Sequence, residues 1–165
     1  MSKLFRHLYL FANSLSIFFL VGCQAFQNVA PPILVGEINS NFPEESPAFS
    51  SNGNYLTFAS DRRGHRDIFL YSLARKQLIS LPNLNRNNSS QDKPAISADG
   101  NYIVYVSTER GKTDIFLYNR SSQKSQLISA NIKGSVDNPS ISGDGKKIAF
   151  QASQLGQWKI VLIER

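Results

Sequence analysis

Three acidic residues stand at matching places in this chain. Glu45, Asp92 and Asp137 each lie two residues before a proline, Pro47, Pro94 and Pro139. Carboxylates gathered from separate segments can form an oxygen-rich ring, the donor set that a hard cation such as Ca²⁺ takes. The same carboxylates can instead accept backbone N–H bonds and tie one segment to the next. Both readings stay open on sequence alone. A second acidic pair, Asp67 and Asp114, opens the twice-written string "DIFLY" and reads as turn-fixing. Arg63 and Arg110 precede that pair by four residues and are candidate contacts for an acidic partner, or else solvated surface. Trp158 occupies the place that Arg66 and Thr113 hold in the earlier copies. It either covers an exposed edge or anchors a partner, as buried aromatics do at interfaces.

Catalytic chemistry finds little footing. His65 is the only histidine beyond residue 22, and it falls in a turn. No G-x-S-x-G elbow and no pair of histidines for zinc is present. Cys23 is the only cysteine, so no disulfide forms within the chain. The expectation is a protein that is not an enzyme, with no cofactor and no confident metal site.

The matching places come from a repeat, and the repeat defines the elements that must position these residues. After the three prolines the chain reads "PAFSSNG", "PAISADG" and "PSISGDG", with Gly53, Gly100 and Gly145 at the same distance. Next come "YLTFAS", "YIVYVS" and "KIAFQA", then Gly64, Gly111 and Gly156, then "DIFLY", "DIFLY" and "KIVLI". The prolines are 47 and 45 residues apart. Asn or Asp before Gly supplies the positive φ of a tight hairpin. Leu56, Phe58 and their equivalents alternate at period two, whereas "IFLY" is apolar on both faces. Strands covered on both sides read that way. A repeat of ~40–45 residues with four strands is the signature of a β-propeller blade. The fold class expected is all-β: three four-stranded antiparallel blades, a partial or half propeller. The blades span about 33–82, 83–131 and 132–165. The last of them lacks its own fourth strand.

The N-terminal residues follow another logic. "MSKLFRH" is basic, a short apolar run extends from Leu8 to Val21, and "LVGC" ends at Cys23. The run is too short for the ~20 residues of a membrane-spanning helix. "LVGC" resembles the lipobox of bacterial lipoproteins. That resemblance implies a signal peptide over 1–22, lipid on Cys23 and a tether over 23–32. Each buried acyl methylene contributes about 0.8 kcal/mol to membrane attachment, so two or three chains hold firmly. Gln24 gives no retention signal of the Asp type, which favours the outer membrane. Loss of residues 1–22 leaves 16 basic against 12 acidic residues, with no run of five Lys or Arg. Nucleic-acid binding is therefore not expected.

The unit "PAFSSNGNYLTFASDRRGHRDIFLYSL" resembles the TolB-type propeller repeat. The likeness covers Ile38–Arg165 and is carried by three aligned copies. The family's proline before Asp-Gly is replaced by Ser51, Ala98 and Gly143. The resemblance implies a periplasmic compartment and envelope partners. The function expected is a membrane-anchored envelope module that binds a protein or glycan without catalysis. The alternatives are a propeller-type enzyme or accessory subunit acting on envelope polysaccharide or peptide, and a truncated repeat fragment. Closed propellers have four to eight blades. Ile33–Asn39 aligns with a fourth strand, so a head-to-tail homodimer completing a six-bladed ring is one expected solution. The others are an open three-blade form and a partner-completed form.

Overall fold

Three antiparallel sheets follow one another along the chain in the computed structural model, which describes residues 38–165. The first holds β1 (Glu44–Phe49), β2 (Tyr55–Ser60), β3 (Asp67–Ser72) and β4 (Gln77–Ile79) in that order. The second repeats it with β5 (Gln91–Ile96), β6 (Tyr102–Ser107), β7 (Asp114–Asn119) and β8 (Lys124–Leu127). The third has β9 (Val136–Ile141), β10 (Lys147–Gln154) and β11 (Gln157–Glu164). Among the described residues no fourth strand pairs with β11, as the repeat register predicts. The expected signal segment, Cys23, the tether and residues 33–37 lie outside the described residues. Among the described residues no helix is long and apolar enough to cross a membrane.

One turn is built three times. The hydroxyls of Ser50, Ser97 and Ser142 donate to the side chains of Asn52, Asp99 and Asp144 at 2.8, 2.5 and 2.5 Å. The same hydroxyls accept the backbone N–H of Tyr55, Tyr102 and Lys147. The glycine that follows takes φ of 72°, 71° and 73° in the three copies. At Gly100 and Gly145 the lack of a side chain has a further use. A Cβ there would meet the ring of Tyr55 or Tyr102, in the preceding blade, at 2.7 Å. Arg120 and Arg165 lie over the same two rings. They also donate to the carbonyls of Gly100 and Gly145. The second and third hairpin turns thus dock on an aromatic ring of the preceding blade.

The innermost strand of each blade carries a bulge that its sequence alone does not announce. Between Glu45 and Ala48, two residues face one on β2, and the same break recurs between Asp92 and Ala95. It occurs again in the pairing of β9 with β10. Ser46, Lys93 and Asn138 hold left-handed φ of 53°, 50° and 48° at these bulges. A non-glycine residue rarely adopts that region. The repeat proline follows each of them, and a bulge is a place in a sheet where the missing N–H costs no ladder bond. Bulges re-aim side chains, and here the re-aimed residue is the one before proline.

The core lies between sheets. Ala59, Ile68 and Leu70 of the first blade pack on Ile103, Tyr105 and Phe116 of the second. Val104, Ile115 and Leu117 of the second pack on Ile148, Phe150 and Ala152 of the third. Strands β6 and β7 are therefore apolar on both faces because a neighbouring sheet covers each. Burial of one such side chain stabilises by roughly 1.5–3 kcal/mol. On the outer side of the first blade Phe58 and Phe69 stack at 5.7 Å, with the Arg62 guanidinium 4.6 Å above Phe69.

Candidate functional site

The first two bulges place the residue before the proline against the carboxylate of the next blade. Ser46 Oγ donates to Asp92 Oδ1 at 3.0 Å. Lys93 Nζ donates to both oxygens of Asp137 at 2.6 Å. Asp92 and Asp137 also accept the backbone N–H of the residue that follows them. Glu45 is held by Arg66, whose Nη1 lies 2.7 Å from Oε2. That guanidinium is also bidentate with Asp61 and reaches Asp92 Oδ2 at 3.4 Å. The carboxylate series thus sits along the inner strands, each member beside a donor from its own or the preceding blade. Among the described residues no three His, Cys, Asp or Glu side chains are placed to hold a metal ion.

The other polar positions stand apart from this series. Asp67 and Asp114 are 1% and 0% exposed. Arg63 and Arg110 lie 3.6 and 3.5 Å from them. These arginines face a buried carboxylate of their own blade, so their turns are less free than the sequence suggests. Asp114 accepts from the Ser129 hydroxyl at 2.7 Å, which in turn accepts the N–H of Ile115. Asp67 has His65 Nε2 at 3.1 Å but receives no well-directed hydrogen bond. Burial pushes the Asp67 carboxyl up, against the opposing pull of His65 and Arg63. Burial also pushes the Tyr105 hydroxyl up, to about 12.

Two features converge on the third blade. The first is an open apolar face. Ile115 and Leu117 on β7 are 0% and 2% exposed, whereas their equivalents Ile160 and Leu162 on β11 are 72% and 62% exposed. Trp158, 52% exposed, continues that row. The second is a cavity of about 420 Å³ between blades two and three, bounded by Asp92, Lys93, Thr108, Thr113, Asp137 and Trp158. The structure brings together Asp92, Asp137 and Trp158 of the predicted residues, and leaves Arg63 and Arg110 elsewhere. Sequence reading missed Ser46, Arg66 and Lys93. The signal was present: the position before each repeat proline is occupied by Ser, Lys or Asn, all hydrogen-bond donors.

Antiparallel sheets of four, four and three strands stacked face to face, with bulged inner strands and Ser-x-Asx-Gly turns, define a β-propeller blade array. The chain belongs to the TolB β-propeller domain family, whose model matches residues 33–164. Among solved structures it is similar to a putative TolB from Agrobacterium tumefaciens, with 18% identity and a TM-score of 0.63. That match covers 77% of this chain and 47% of the other. TolB from Acinetobacter baumannii follows with 22% identity and a TM-score of 0.56, covering 73% of this chain and 29% of the other. The β-propeller domain of the trilobed protease from Pyrococcus furiosus, described as having an open velcro topology, matches with 14% identity and a TM-score of 0.54. It is covered over 39% of its length and covers 74% of this chain. Among curated proteins none matches. The chain spans about half or less of the solved proteins it resembles, and at these identities the likeness is one of fold.

Proposed function

We propose that the chain is a non-catalytic binding module of a bacterial envelope. It is held by lipid on Cys23 at the periplasmic side, on the outer membrane, and it engages an envelope protein through its third blade. The observation that carries this reading is the open face of β11. Ile160 and Leu162 expose there the positions that are buried in the preceding blades, and Trp158 extends the row. Exposed apolar rows of this kind mark interaction surfaces.

The occupant that fits is another blade, because a blade is what covers the same face of β3 and β7. A second copy of the chain supplies one in a head-to-tail arrangement. Phe49 on the first blade, exposed as well, lies on the matching strand position of Ile96, which is buried between blades one and two. Crosslinking in the native envelope, read by mass spectrometry, should recover links from residues 155–162 to the first blade of another copy. Links to a different protein alone would replace the second copy as occupant. For the anchor, Cys23→Ser should move the protein from the membrane to the soluble fraction. Retention on the membrane would remove the lipid reading.

A further inference from the structure

The repeat places an arginine site inside the molecule twice, and fills it once. Between blades one and two, the Arg66 guanidinium lies among Glu45, Asp61 and Asp92. The same positions one blade later are Asp92 for Glu45, Thr108 for Asp61, Asp137 for Asp92 and Thr113 for Arg66. Threonine is too short to reach where the guanidinium would lie. The space between blades two and three is instead the 420 Å³ cavity, bounded by these four residues. From the third blade it is lined by Ser135, Val136, Asp137 and Trp158.

The geometry points to this cavity as a binding site for a guanidinium group, an arginine side chain borne by a peptide or protein partner. Two carboxylates and two threonine hydroxyls offer acceptors, and charge-assisted bonds from a planar guanidinium to a carboxylate are among the strongest available. Lys93 Nζ already rests on Asp137. Arg66 lies beside Asp92 at 3.4 Å. Each carboxylate has about four lone-pair sites, so both can accept again. Of the charged groups lining the cavity, Asp92 and Asp137 outnumber Lys93, and Arg66 reaches Asp92 from the first seam. Trp158 is among the lining residues, and arginine stacks favourably on indole. The internal precedent is the independent support: the equivalent acidic positions hold a guanidinium between the first two blades. The partner setting rests on the binding-module reading, but the cavity's chemistry does not.

Trp158 is the only tryptophan, so its fluorescence reports on the cavity wall. The full-length protein in detergent is titrated with N-acetyl-arginine methylamide, and separately with the citrulline analogue, equal in shape and uncharged. Saturable change with the arginine probe and at least tenfold weaker response to citrulline is expected. Asp137→Asn should weaken the arginine response by about tenfold. Thr113→Arg should place a guanidinium in the cavity from within and abolish the response. A wild-type protein that answers both probes equally, or neither, overturns the assignment without any variant having to fold. Such a failure leaves the crosslinked envelope partner untouched, so it is separable from failure of the proposed function.

Discussion

The second and third blades use one apolar pattern under two conditions. On β7 the row Ile115 and Leu117 is sealed under the third sheet. On β11 the row Ile160 and Leu162 faces outward, while its alternate residues Val161 and Ile163 pack inward. The inward halves of the two strands therefore contribute alike to the fold, and the outward halves do not. A strand apolar on both faces is stable in a blade array only to the extent that something covers its second face. The third copy retains that second face with isoleucine and leucine, where a solvent-facing strand would carry polar residues.

The largest contrast should come from matched truncations of that row. Leu117→Ala should cost about 2–5 kcal/mol by chemical denaturation. Leu162→Ala should stay within about 0.5 kcal/mol when the protein is dilute, and should cost more as concentration rises if a second copy covers the face. Equal costs in the dilute protein would show that the row is sealed within one chain. Next in size is a comparison of turns. Gly100→Ala must strain a φ of 71° and drive a methyl to 2.7 Å from the Tyr55 ring. Gly111→Ala, at φ 80°, meets open space. The first should destabilise by about 1–3 kcal/mol and the second by about 1 kcal/mol. Similar melting temperatures for the two variants would show that the turn does not dock on the ring.

The smallest effect concerns the buried aspartates. Burial raises the Asp67 carboxyl in the folded chain above its unfolded value of about 3.9. Between those two values the unfolded chain binds fewer protons than the folded one, so this group's contribution to stability falls as pH rises. Asp67→Asn removes the titration. Its melting temperature should exceed that of the wild type at pH 7, and the difference should vanish below about pH 4. A deficit at pH 7 would mean that His65 and Arg63 more than offset the burial.

Much of the fold is written in the chain. The string "DIFLY" at Asp67 and Asp114 marks the start of β3 and β7 and falls one residue short of their ends, and "YLTFAS" and "YIVYVS" mark β2 and β6. These were legible because period-two burial and Asx-Gly turns are local. The site was less so. The ties Ser46 to Asp92 and Lys93 to Asp137 join residues 46 and 44 positions apart. They depend on how one twisted sheet sits on the next, and no short-range pattern encodes that angle. Across the copies Trp158 is the odd member at the Arg66 position, which hides the role of Arg66 itself. The informative contrast was between Arg66 and Thr113, a long cation and a short hydroxyl at one place.

The inner-strand ties also bear on how the array would come apart under load. On the inner strands the first seam carries ties from two side chains, Ser46 and Arg66, and the second a tie from Lys93. In stacked repeats, stability is close to a sum of units and nearest-neighbour seams. A pull applied at Arg165 in an optical trap would thus meet first the seam with fewer inner-strand ties, releasing the last sheet as a discrete extension step. The first two blades would hold until a higher force.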